Sequence, residues 1–167
     1  MKITVLQHTP NEGLGMIRDY AHLHKHELYV YHPYQFGILP QANEIDFLII
    51  LGGPMSPNDD LDWIVQERKI ITELLARKKP IIGFCYGAQQ IAKTLGYKVT
   101  NILGDNVVGL QFHFEQDEDS VREVALNDGN YALQNNALHQ TPEDIIKHGV
   151  PKGNKEILFK LLDYLLV

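Results

Sequence analysis

The chain has 167 residues, 44% hydrophobic and 22% charged, a balance that fits one globular domain and excludes a disordered or fibrous chain. Fifteen basic residues against 21 acidic ones give a formal charge of −6, which disfavours nucleic acid or an anionic membrane as partner. No apolar run approaches the roughly 20 residues of a membrane span, and a single cysteine, Cys85, excludes an internal disulfide and fits a reducing cytoplasm.

In chain order, residues 3–6 read as a buried strand, and the N-terminal run that contains them is too brief for a signal peptide. Residues 13–24 predict a weaker helix, because Gly15 interrupts it. Strands follow at 28–31 and 47–51, then a helix over 62–78 in which Ile64, Ile70, Ile71, Leu74 and Leu75 form an apolar stripe. The strand at 81–84 leads into a helix over 87–95 that stops at Gly96. Residues 98–110 read as a hairpin turning at Gly104-Asp105-Asn106, whose second arm belongs to an apolar strand over 107–112. Helices are predicted over 117–127, closing before Gly129, and from the cap Thr141-Pro142-Glu143-Asp144 to Gly149. A last helix covers 154–166, with Ile157, Leu158, Leu161, Leu162, Leu165 and Leu166 docked on the core. Several strands are apolar on both faces and alternate with helices. This predicts an α/β fold: a doubly wound, mostly parallel sheet with helices on both faces, in one domain over 1–167.

The most informative stretch is Gly83-Phe84-Cys85-Tyr86-Gly87. A buried strand meets a helix at Cys85, with glycine two residues to either side, the arrangement of a nucleophile elbow. So sharp a turn leaves no room for flanking side chains and holds the nucleophile above the C-terminal edge of the sheet. A helix N-terminus favours a thiolate, and its free amides can donate to an oxyanion. A lone cysteine is otherwise most often a small buried hydrophobe; the paired glycines argue against that here.

A thiol nucleophile needs a base, and the base an orienting group. His113 follows the strand at 107–112, and a parallel crossover returns it to the level of Cys85. Glu115, two residues on, is placed to hold the imidazole. Leu51-Gly52-Gly53-Pro54 follows another buried strand, where bare backbone can approach a substrate and the Gly53 N–H can face it; alone, such a run is only a tight turn. His22, His24 and His26 alternate but have no further ligand at suitable spacing, so they read as a solvated helix end with no metal. Asp59, Asp60, Asp62 and Asp117–Asp119 read as helix N-terminal charge and capping.

Taken in order, Gly52–Pro54, Gly83–Gln89 and His113–Glu115 resemble the signature of the class I (triad) glutamine amidotransferases, with the flavodoxin-like fold that family implies. His26-Glu27-Leu28, Leu51–Ser56, Trp63 and Gly109–Glu115 are similar to its free-standing, GMP-synthase-like branch. The resemblance implies that Cys85 attacks a glutamine side-chain amide to form a γ-glutamyl thioester. His113 then moves the proton, Glu115 orients His113, the N–H groups of Gly53 and Tyr86 form the oxyanion hole, and Gln89 helps to bind substrate. No cofactor is implied. Ammonia would pass to a free acceptor or a separate partner protein.

Two features depart from the family pattern. Only 28 positions separate Cys85 from His113, so part of the additional strands that wall the glutamine pocket is expected to be lacking; a second copy of the chain, in a homodimer, is one way to complete the site. Phe114 stands where proline is commonest. Two further readings therefore stay open beside a glutaminase: a γ-glutamyl hydrolase or peptidase using the same residues, and a silent binding or scaffold protein on the same fold.

Overall fold

A computed structural model describes residues 1–97, 102–103, 106–134 and 140–166, at 102–103 and 128–134 by their backbone alone. Six strands form one sheet in the order β2-β1-β3-β4-β6-β5. They are β1 (Lys2–Leu6), β2 (Glu27–Tyr31), β3 (Phe47–Ile50), β4 (Ile81–Phe84), β5 (Ile102–Leu103) and β6 (Val107–Leu110). Five run parallel, and β5 pairs antiparallel with β6 through Ile102 opposite Gly109 and Leu103 opposite Val108. The predicted hairpin is thus present as a strand pair, while its turn at 104–105 lies outside the described residues.

The helices are α1 (Met16–Leu23), α2 (Pro33–Phe36), α3 (Asp62–Ala76), α4 (Tyr86–Thr94), α5 (Glu118–Gln134), α6 (Pro142–His148) and α7 (Asn154–Leu165). Alternation along the strands separates two cores. Ile3, Val5, Phe47, Ile49, Ile82, Phe84 and Val108 face α1 and α7. Leu6, Leu48, Ile50, Ile81 and Val107 face α3 and α4. Such two-sided burial is the reason the central strands read as continuous apolar runs. No helix among the described residues is long and apolar enough to cross a membrane.

Four expectations are corrected in detail. β6 ends at Leu110 rather than Phe112, because its partner β4 ends at Phe84, opposite Leu110, where the chain turns into α4. α5 runs through Gly129 to Gln134; one interior glycine costs only about 1 kcal/mol relative to alanine, and α5 lies against α6. On α7 the buried face is Leu158, Leu162 and Leu165, while Ile157 is 55% exposed. Asp59 caps the turn at Ser56 rather than α3, whose N-cap Leu61 makes no side-chain cap bond. The caps at Thr141 and Asp117 form as expected: the Asp144 N–H donates to Thr141 Oγ1 at 3.2 Å, and the Ser120 N–H to Asp117 Oδ1 at 2.8 Å.

The elbow is built by close approach of backbones. A Cβ on Gly83 would lie 2.4 Å from the Gly87 carbonyl carbon, and one on Gly87 would lie 2.2 Å from the Ile50 carbonyl oxygen. Neither contact is with a flexible side chain, so relief requires α4 to lift from β3 and β4. Gly87→Ala is expected to destabilise the fold by about 1–3 kcal/mol or more, seen as a lower urea midpoint.

Candidate functional site

Gly53, Cys85, Tyr86, Gln89, His113 and Glu115 stand at or near the C-terminal edge of the parallel strands. The strand order changes direction between β1 and β3, which opens a crevice between the loops that follow them. One loop, residues 8–15, follows β1; the other, Leu51–Pro54, follows β3; and the elbow lies beside them.

Cys85 is the N-cap of α4, half-buried, with φ 47° and ψ −107°. A side chain rarely adopts that backbone region without support. Support comes from β6, whose Leu110 carbonyl accepts the Cys85 N–H at 2.8 Å. Tyr86 is the first helical residue, so its N–H has no acceptor within the helix.

His113 stands three residues beyond the end of β6, with 33% of its side chain exposed. Its Nδ1 is 2.9 Å from Glu115 Oε1, and the ring lies near enough to the Cys85 side chain for the sulfur to influence its charge. Glu115 is fully buried, and its Oε1 receives a further bond from Gln116 Nε2 at 3.2 Å. The structure therefore brings His113 and Glu115 into contact with Cys85 nearby, although the expected strand does not continue to carry them. Gln111 donates to Cys85 Sγ from 3.8 Å.

Burial opposes charge on the His113 ring. Hydrogen bonding of the charged ring toward the Cys85 sulfur, the bond and charge of Glu115, and the charge of Glu12 outweigh it and raise the pKa from 6.5 to about 10. Between those two values the folded protein holds a proton that the unfolded chain has lost, so stability must fall as pH rises. The contribution is complete below about pH 6.5 and vanishes as pH passes about 10. The stability gap between wild type and His113→Gln should accordingly be widest near pH 6 and closed above about pH 10, measured by urea unfolding.

The glycine pair divides its work. A Cβ on Gly52 would lie 2.6 Å from His113 Cε1 and 2.0 Å from Glu12 Oε2, so Gly52 faces the imidazole. Gly53 turns toward His8, whose Cβ would be 2.8 Å away. Gln89 is half-buried on the first turn of α4, its N–H bonded to the Cys85 carbonyl.

Two groups of residues escaped the sequence reading. Glu12 lies 3.7 Å from His113 Nε2, 19% exposed. Beneath the elbow is a buried polar network. His8 Nε2 is 2.9 Å from Glu67 Oε2, both side chains fully buried, and His8 Nδ1 is 3.3 Å from the Leu51 carbonyl. Gln90 Nε2 reaches Tyr86 Oη at 2.7 Å, the Ile64 carbonyl at 3.2 Å and Glu67 Oε1 at 3.4 Å. Arg68 closes the network on Gln90 Oε1 at 3.1 Å. A signal for Glu67 was available, since it interrupts the apolar stripe Ile64, Ile71, Leu74 of α3 with a charge.

Among the described residues, no three His, Cys, Asp or Glu side chains are placed to hold a metal ion. His24 instead stacks near Tyr20 and His26, at 4.4 and 5.9 Å.

A doubly wound α/β domain with cysteine at a strand-to-helix elbow defines the class of protein. Within that class the pattern of class I glutamine amidotransferases matches residues 16–103, and the chain belongs to that family. It is 27% identical to gamma-glutamyl peptidase 3 of Arabidopsis thaliana, over 78% of this chain and 65% of that relative's length. The fold is shared with a glutamine amidotransferase from Thermotoga maritima (TM-score 0.82, 17% identity, covering 99% of this chain and 96% of that one). It is shared likewise with one from Methylobacillus flagellatus (TM-score 0.81, 20% identity, 98% and 92% covered).

Proposed function

We propose that the chain is a thiol amidase that hydrolyses the γ-carboxamide of glutamine and delivers the ammonia to a separate acceptor. The observation that supports this most is an imidazole bonded to a buried carboxylate beside the elbow cysteine. In the proposed reaction the Cys85 proton resides on His113, whose raised pKa keeps the ring charged at neutral pH, and Sγ attacks the amide carbon. The resulting oxyanion receives the N–H groups of Gly53 and Tyr86. The imidazolium returns the proton to nitrogen, the C–N bond breaks, and ammonia leaves a γ-glutamyl thioester. His113 then removes a proton from water, the hydroxide attacks the thioester, and glutamate departs as the thiol is restored. Glu115 keeps the ring oriented, and Gln89 helps to hold the substrate.

A second reading, a γ-glutamyl peptidase, uses the same steps with an amine as leaving group. It is favoured by the likeness to gamma-glutamyl peptidase 3. Incubation with glutamine and with a γ-glutamyl dipeptide separates the two: ammonia from the first supports the glutaminase, and free amino acid from the second alone supports the peptidase. A glutamine-like electrophile should label Cys85 in either case. Labelling with no turnover of either substrate would instead indicate a silent binding protein.

A further inference from the structure

The loop after β1 places one carboxylate at the imidazole for which the reaction above has no use. Its position is fixed by backbone contacts. Gly15, at φ 47°, lies so close to the Glu115 carbonyl that a Cβ would be 2.2 Å from the oxygen, and the same carbonyl accepts the Met16 N–H at 2.9 Å. The segment Glu12-Gly13-Leu14-Gly15 is thereby clamped to the residues that carry His113, and Leu14 is buried in the core beside it. Glu12 Oε2 stands 3.7 Å from His113 Nε2 and against Gly52. His113 Nδ1 is engaged by Glu115, so Nε2 is the nitrogen that must serve Cys85 and the leaving group. Glu12 faces that same nitrogen.

We propose that Glu12 is a specificity-determining residue that accepts a hydrogen bond from the scissile nitrogen and so selects amides over esters. This rests on the amidase reading. In the tetrahedral intermediate the nitrogen lone pair must face the Nε2–H, and its own N–H bonds point elsewhere. A carboxylate beside Nε2 accepts one of them. As the proton moves from Nε2 to nitrogen, positive charge develops on the leaving group, and the carboxylate stabilises it more than it stabilises the ground state. An ester oxygen has no N–H to offer and sets its lone pairs against the carboxylate, which penalises it. The groups facing Nε2 and its ring are Cys85, Glu115 and Glu12, so Glu12 also helps to hold the imidazolium.

Glu12→Gln tests this by two ratios. The first is kcat/KM for glutamine over kcat/KM for glutamate γ-methyl ester, which should fall about tenfold or more. The second is the rate of Cys85 alkylation by iodoacetate over that by iodoacetamide, which should rise about fivefold or more as the repelling charge is removed. Because Cys85 is the single cysteine, the label is unambiguous. An unchanged amide-to-ester ratio in an active enzyme overturns the proposal, whatever the alkylation result. Wild-type protein that releases no ammonia sinks the amidase reading. The alkylation ratio then decides Glu12 alone: a rise keeps it facing the electrophile at Cys85, and no rise removes it.

Discussion

Cys85→Ala should reduce ammonia release by roughly a thousandfold or more, to the rate of the reagents alone, while the loss of stability stays limited to the interaction with His113. The large effect follows from the chemistry: without sulfur no thioester forms, and His113 has nothing to activate. The limit on the second effect comes from the backbone. Cys85 holds φ 47°, and alanine has the same Cβ in the same strained region, so the cost of that conformation, about 1–3 kcal/mol, is carried equally by both. Glycine adopts such angles freely. Cys85→Gly should therefore be inactive yet at least as stable as Cys85→Ala, despite the greater freedom of its unfolded chain. Calorimetry of the three proteins beside an ammonia assay checks both halves. Residual turnover in Cys85→Ala would refute the thiol mechanism, and a glycine variant less stable than the alanine one would refute strain at the elbow.

What could be read in advance, and what could not, follows from the range of the interactions. The elbow was legible because its geometry is local: five consecutive residues determine whether backbone can cross backbone at Gly83 and Gly87. The sheet was legible because burial on both faces leaves short apolar runs between amphipathic helices. His113 and Glu115 were identified for a reason that holds only in part. The predicted strand stops at Leu110, and what places the pair is the irregular segment 111–117 clamped by the loop after β1. Glu12 was invisible because nothing in Thr9-Pro10-Asn11-Glu12-Gly13 distinguishes it from a turn; its meaning arises only when β1 and β3 become neighbours at the switch in strand order. Glu67 was legible in principle, as a charge in an apolar stripe. Its partner His8 is 59 positions away, a separation that no local pattern reports.

That pair sets the other large expectation: Glu67→Ala should cost about 3–5 kcal/mol, a substantial part of the 5–15 kcal/mol that holds a typical domain together. Both side chains are fully buried, so no water replaces the lost carboxylate. The deletion orphans His8 Nε2, removes one acceptor of Gln90 and leaves a cavity between α3 and α4. Glu67→Gln keeps the shape and an oxygen for His8, giving up only the longer 3.4 Å contact to Gln90, and should cost about 1 kcal/mol. The effect should also reach the reaction. His8 holds the Leu51 carbonyl and packs under Gly53, while Gln90 holds Tyr86, and these flank the two N–H groups assigned to the oxyanion. Glu67→Ala, assayed below its melting temperature, should therefore lose kcat more than it raises KM, because a displaced donor weakens the transition state selectively. A matched loss of both would mean that the network supports the fold alone. Equal stability of the alanine and glutamine variants would mean that the buried pair contributes nothing beyond volume.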